Sequence, residues 1–294
     1  MYNGIINVYK EAGFTSHDVV AKLRGILKQK KIGHTGTLDP DATGVLPVCL
    51  GNATKLCDML TDKSKEYRAE MLLGTVTDTE DISGKVLGIK EVNVTEEEIK
   101  DIIMSFVGEY DQIPPMYSAL KVNGQKLCDL AREGIVIERK PRSVNIISIE
   151  ILSVNLPKVD MIIHCSKGTY IRSLCRDIGE KAGCGACMSS LIRTRVGVCT
   201  LEKAYKLSEI EALVKSDSVS DVITPTDDMF PDYPAVKVTG RNEMFARNGN
   251  ILKLPYVKAD MIKVYLSDGR FAGVYGYNSD TECYKPEKMF LSEN

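Results

Sequence analysis

The stretch GHTGTLDPDATGVLP, residues 33–47, most constrains the fold of this chain. Its glycines, prolines, threonines and aspartates suit turns, so no helix or strand interior should run through it. It lies between a helical pattern and an apolar run, so an irregular polar segment is held between buried elements. Asp39-Pro40-Asp41-Ala42-Thr43 also has the D-x-D-x-T spacing of a magnesium-dependent aspartyl phosphotransferase. That nucleophile ends a buried strand, whereas Gly33, His34, Thr35, Gly36 and Thr37 precede Asp39 with only Leu38 apolar between. The spacing lacks its context. No Gly-Lys-Ser/Thr follows the glycines either, so a phosphate-cradling loop fails on the same ground.

Periodicity organises the rest. Ser16 reads as the cap of a helix with Val19, Val20, Leu23, Ile26 and Leu27 on its apolar face. Leu46 to Leu50 reads as a short buried strand, and 53–60 as a helix. In 65–73, Tyr67, Ala69, Met71 and Leu73 alternate with Arg68, Glu70 and Leu72, which predicts a half-buried strand. Thr95 and Glu98 form a capping box before Ile99, Ile102, Ile103 and Phe106, with Gly108 as the stop.

Residues 112–143 are proline-bounded and basic at their end, and read as an insertion lying over the main body. Strands follow at 144–154 and 161–165, then a helix starting at Thr169 with Ile171, Leu174, Cys175 and Ile178 on one face. The proline-punctuated segment 216–234 marks a boundary. The expectation is an α+β fold. Residues 1–234 build a mixed, mostly antiparallel sheet flanked by helices, and 235–294 form a small β-rich module with a Ser267-Asp268-Gly269 hairpin.

Composition narrows the class. A hydrophobic fraction of 44% over 294 residues supports a real core. The opening MYNGIINVYKEAGF has no basic region followed by an apolar run, so it does not read as a signal peptide. No apolar run approaches the ~20 residues that cross a bilayer. Nine cysteines point to a reducing, cytoplasmic setting. Cys184 and Cys187 have C-x-x-C spacing, but no second pair is there to complete a zinc site, so they read as incidental thiols and no metal is expected. The net charge of −2 predicts no general affinity for polyanions. Cations nonetheless cluster in 22–31, at Arg139, Lys140 and Arg142, and at Arg193 with Arg195, which permits a nucleic-acid surface.

Five ordered segments resemble the TruB family of bacterial-type tRNA pseudouridine synthases. GHTGTLDPDATGVLP is similar to its catalytic loop, KEYRA to its K-x-Y-x-A strand, and IPPMYSALKVNGQKLCDLAREG to its RNA-contacting insertion. HCSKGTYIRSLCRDIGEKAGCGA resembles its strand-helix segment, and SSLIRTRVG its late arginine-containing strand. The resemblance implies the pseudouridine synthase fold with a PUA-like C-terminal RNA-binding module. It also implies isomerisation of uridine 55 of the tRNA T-loop, without cofactor, by a monomer with no membrane or obligate protein partner.

By the same resemblance, Asp39 is the catalytic aspartate and nucleophile, Tyr67 stacks on the target base, and Arg172 pairs with the carboxylate. His34 enters the T-loop, while Tyr170 and Leu191 contact the flipped nucleotide. Asp41 receives no role. The family's opening Lys-Pro-x-Gly is here Lys10-Glu11-Ala12-Gly13, which loses a rigid entry without touching Asp39.

One carboxylate suits a reaction that excludes water and lets the uracil ring delocalise charge. It can attack the ribose, attack the base, or act as a base in a glycal route. Two rivals stay open: a catalytically idle tRNA-binding protein on the same scaffold, and the phosphotransferase.

Overall fold

The computed structural model describes residues 1–291. Strand β1 (Gly4–Lys10) leads into α1 (Ser16–Ile26), and β2 (Ile32–His34) and β3 (Thr43–Leu50) follow. A short 3₁₀ turn, Gly51–Leu56, and α2 (Cys57–Thr61) precede β4 (Lys65–Leu73). The hairpin β5 (Thr75–Thr77) and β6 (Val86–Ile89), α3 (Glu96–Met104) and β7 (Gly108–Gln112) come next.

The excursion after β7 holds β8 (Lys121–Val122), β9 (Gln125–Lys126) and α4 (Leu127–Arg132). Then β10 (Arg142–Asn155), β11 (Lys158–Cys165), α5 (Ile171–Lys181), β12 (Ala186–Val196) and β13 (Cys199–Thr200) return to the main body. After α6 (Leu207–Lys215), β14 (Ile223–Thr224) and β15 (Ala235–Lys237), α7 (Gly240–Arg247) precedes β16 (Met261–Tyr265), β17 (Phe271–Asn278) and β18 (Cys283–Met289).

The main sheet runs β14-β1-β3-β12-β4-β11-β10-β7, with β2 on β3 and β13 on β12. Its pairings are antiparallel except at one seam. There β3 and β12 run parallel, through Ile192↔Thr43 and Arg193↔Gly44. On one side of the seam, Tyr67, Ala69, Met71 and Leu73 of β4 join Ile163 of β11 and Leu174 of α5 in the largest core. On the other, Ile6 and Val8 of β1 pack with Val19, Val20 and Leu23 of α1. Each half therefore buries its own apolar face, and the seam between them holds the 33–47 segment.

The excursion closes on itself, because Arg142 of β10 pairs with Gln112 of β7. It carries a satellite core of Met116, Leu127 and Leu130. Residues 235–291 form a four-stranded sheet with α7. One apolar cluster joins that sheet to the main body, bringing Val274 and Phe290 against Ile5, Val45, Leu56 and Val196.

Several local expectations are corrected. Residues 33–47 are not one loop: Gly33 and His34 extend β2, and the next strand starts at Thr43 rather than Leu46. The threonine and glycine of T-G-V can extend because β12 pairs beside them. Residues 53–60 split into a 3₁₀ turn and a short α-helix. The last helix of the main motif begins at Ile171 with Tyr170 as its cap residue, not at Thr169. Thr15, not Ser16, caps α1, in a capping box with Asp18. Ser16 is buried and turns its hydroxyl to the polar segment instead.

Candidate active site

The segment between β2 and β3 has few strand partners, so side chains from four elements take over its polar groups. Leu38 donates its N–H to the Ser16 hydroxyl at 2.9 Å. From the end of β1, Lys10 Nζ donates to the carbonyls of Pro40 (2.8 Å) and Ala42 (2.6 Å). Gly13 donates its N–H to the Pro40 carbonyl at 3.0 Å. The Lys10-to-Gly13 segment therefore grips the residue after Asp39.

From β12, Arg193 donates Nε to Val45 O at 2.7 Å, and its two Nη atoms to Thr37 O and Gly36 O at 3.4 Å each. Gly44 allows this approach. Its φ is +104°, and a Cβ there would lie 2.2 Å from the Arg193 carbonyl oxygen.

At the tip, the Asp39 carboxylate is met side-on by Arg172, the second residue of α5. Nε reaches Oδ2 at 2.9 Å and Nη2 reaches Oδ1 at 3.2 Å. Two further donors of Arg172 go to Thr79 O and Tyr117 O, both at 2.9 Å. This guanidinium thus joins the Asp39 tip, the turn after β5 and the 112–143 excursion, and its side chain is 6% exposed against 38% for Asp39. A second carboxylate, Asp81 Oδ2, lies 3.8 Å from Arg172 Nε. Burial raises the Asp39 carboxyl above the usual carboxylate range, Arg172 pulls it back, and Asp81 pushes it up again.

Tyr67 lies on β4 directly across from Arg193 of β12. The ring is buried, at 9% exposure, and burial pushes its phenol up to about 12 with Arg193 opposing. Leu191 is on the same face of β12 as Arg193, partly buried against the core that holds Tyr67. Gln112 fixes the backbone of Tyr170: its Oε1 accepts the Tyr170 N–H at 2.8 Å and its Nε2 donates to the carbonyl at 3.1 Å. His34, at the end of β2, has a buried Nδ1 without a hydrogen-bond partner, and burial holds its pKa below the usual histidine value. Asp41 is exposed.

The expected residues thus converge unequally. Asp39 and Arg172 are in direct contact, and Tyr67 and Leu191 share one sheet face. Tyr170 is joined to them as the residue before Ile171 and Arg172. His34 stands at the stem of the tip. Lys10, Ser16, Arg193 and Asp81 were not expected there. A signal for two of them was present, because Lys10 shares the inward parity of Ile6 and Val8, and Arg193 that of Leu191.

The family model described as TruB family pseudouridylate synthase (N terminal domain) matches residues 24–171. A second, the tRNA pseudouridylate synthase B C-terminal domain, matches residues 172–230. The chain belongs to the TruB family.

A TruB-family relative from Lachnoclostridium phytofermentans, named tRNA pseudouridine synthase B, is 56% identical over 98% of this chain and 100% of its own. One of the same name from Clostridium tetani is 46% identical over 92% of this chain and 94% of its own. Among solved structures, a Cbf5-Nop10-Gar1 complex contains a chain similar at TM-score 0.75 and 28% identity, covering 98% of this chain and 85% of that one. An H/ACA RNP bound to a substrate RNA containing 2′-deoxyuridine gives 0.74 and 26%, over 98% and 85%. The pseudouridine synthase fold expected from the sequence is the fold observed.

One other reading loses ground on geometry. Asp39 sits at a hairpin tip rather than at the end of a strand, unlike the phosphotransferase nucleophile.

Proposed function

We propose that this chain isomerises uridine 55 of the tRNA T-loop to pseudouridine, with Asp39 as nucleophile and no cofactor. The side-on Asp39–Arg172 pair, at an irregular tip whose Leu38 and Ala42 share a core cluster with Tyr67, carries the reading. Membership of the TruB family and relatives named tRNA pseudouridine synthase B support it.

The reaction breaks the N1–C1′ bond, turns the uracil and joins C5 to C1′, with the C5 proton lost last. Asp39 supplies the single carboxylate, as nucleophile on the ribose or on the base. Arg172 orients that carboxylate and opposes the effect of burial, so the ionised form persists to lower pH. One oxygen of Asp81 is held elsewhere: Oδ1 accepts from Thr79 Oγ1 at 2.7 Å and from Ser83 N at 3.0 Å, while Oδ2 faces Arg172.

Tyr67 offers a flat face to the target base, a contact worth ~1–3 kcal/mol. Leu191 walls the pocket and keeps water from the reactive intermediate. Tyr170 contacts the nucleotide from the cap of α5. His34, a neutral imidazole at the stem, replaces the extruded base in the T-loop stack, where flipping costs a few kcal/mol. The basic end of the 112–143 excursion and the 235–294 module extend the RNA-binding surface.

Nine free thiols support a reducing, cytoplasmic setting. Among the described residues no helix is long and apolar enough to cross a membrane. A monomer acting without an obligate partner completes the reading; sedimentation with and without tRNA checks it.

Purified protein, unmodified tRNA and EDTA suffice for the test. Pseudouridine at position 55 is the expected product. Tight tRNA binding with no pseudouridine formed supports an idle binding protein, and magnesium-dependent phosphate release from model esters supports the phosphotransferase.

A further inference from the structure

Among the cations around the tip, Arg193 stands out because it reaches backbone on both sides of Asp39. It is 1% exposed and gives its hydrogen bonds to the carbonyls of Val45, Thr37 and Gly36 rather than to a carboxylate. A buried guanidinium is costly unless its donors find partners, and irregular backbone carbonyls are costly unless they find donors. Here each settles the other. The contacts are asymmetric in a useful way: Gly36 and Thr37 enter the tip before Asp39, and Val45 leaves it afterwards. One planar fork therefore ties both arms of the hairpin to β12. On β12, Arg193 is also the residue across from Tyr67.

We propose that Arg193 is a positioning residue of the reaction: its buried guanidinium clips both arms of the Asp39 hairpin to the strand facing Tyr67, fixing the carboxylate against the base-stacking face. The inference rests on the isomerase reading above. Arg193 does not touch the reacting atoms. It acts through the two arms, while Lys10 holds the tip from the opposite strand at Pro40 and Ala42. A lysine could keep the charge and reach one arm, but it lacks the fork that spans both.

The test uses full-length Arg193→Lys and Arg193→Gln proteins beside the wild type. Three measurements are made on each: cooperative thermal melting, tRNA Kd by filter binding, and the single-turnover rate of pseudouridine formation. Because misplacing a catalytic group by about 1 Å costs ~10²-fold, the glutamine variant should lose about that factor in rate while its Kd stays within about 3-fold. The lysine variant should recover part of the rate. A folded glutamine variant with wild-type rate, or a loss confined to Kd, overturns the proposal. If the glutamine variant does not fold, the lysine variant decides by the same criteria. If neither folds, Arg193 is a stability residue only and the positioning role is rejected. No pseudouridine from the wild type rejects the isomerase reading itself, so the two failures are distinguishable.

Discussion

Arg172 and Asp39, 133 residues apart in sequence, meet through two donors on two carboxylate oxygens, Nε–Oδ2 at 2.9 Å and Nη2–Oδ1 at 3.2 Å. The pair forms because α5 starts beside the parallel seam and presents its second residue to the hairpin tip. A fork of this kind orients a carboxylate where a point charge would only attract it.

Replacing Arg172 by methionine should therefore have two effects. Loss of an oriented electrostatic partner costs ~10²–10³ in single-turnover rate. In addition, Arg172 lowers the Asp39 pKa against burial, so its removal raises that pKa and moves the acid limb of the pH–rate profile to higher pH. A slower variant with an unmoved acid limb would show that Arg172 does not act on Asp39 ionisation.

Lys10 supplies an alkaline limb. Burial brings its amine down to about 8, with Asp39 and Asp41 opposing the shift. As pH rises through that value, Lys10 loses its charge. Its bonds to the Pro40 and Ala42 carbonyls weaken, and its pull on Asp39 ends. The rate should fall across this range in the wild type. Lys10→Met should be slower at neutral pH and lack that limb, as a pH profile of both proteins would reveal.

Tyr67 separates ring from hydroxyl. Tyr67→Ala removes the stacking face and should cost ~1–3 kcal/mol of nucleotide affinity or its equivalent in rate. Tyr67→Phe keeps the face, so its residual loss isolates the phenol. With that group pushed up to about 12, an unchanged Phe variant would exclude it from proton removal at C5.

The 235–291 module shares its apolar contact with the strand that delivers Asp39. Phe290 stacks on Phe271 at 5.3 Å and packs in one cluster with Val45 and Val196. Phe290→Ala should cost ~3–5 kcal/mol and lower a single cooperative melting transition. Two separate transitions would show that the module folds independently of the main body.

Much of this was legible because periodicity reports inward faces. The β4 alternation placed Tyr67 with Ala69 and Met71, and the Thr95–Glu98 capping box located α3. The Asp39, Tyr67 and Arg172 assignments came from the resemblance rather than from spacing. Contacts across sequence were not legible. Nothing local says that Ser16 serves Leu38 rather than its own helix, since a serine before an apolar face reads as a cap. The start of β3 is not local, because Thr43 and Gly44 extend through pairing with distant strands, Gly44 with Lys10 of β1 and Arg193 of β12. Lys10 and Arg193 share the parity of apolar neighbours on their strands, but an inward cation says only that it needs partners.

The central claim is tested most directly by mapping pseudouridine in tRNA after incubation with wild-type and Asp39→Asn proteins, with tRNA Kd measured for both. The asparagine is nearly isosteric but has no nucleophilic carboxylate. Position 55 should be converted by the wild type and stay uridine with the variant, while Kd remains close to wild type. Conversion by Asp39→Asn at a rate near the wild type would contradict the assignment of Asp39 as the nucleophile.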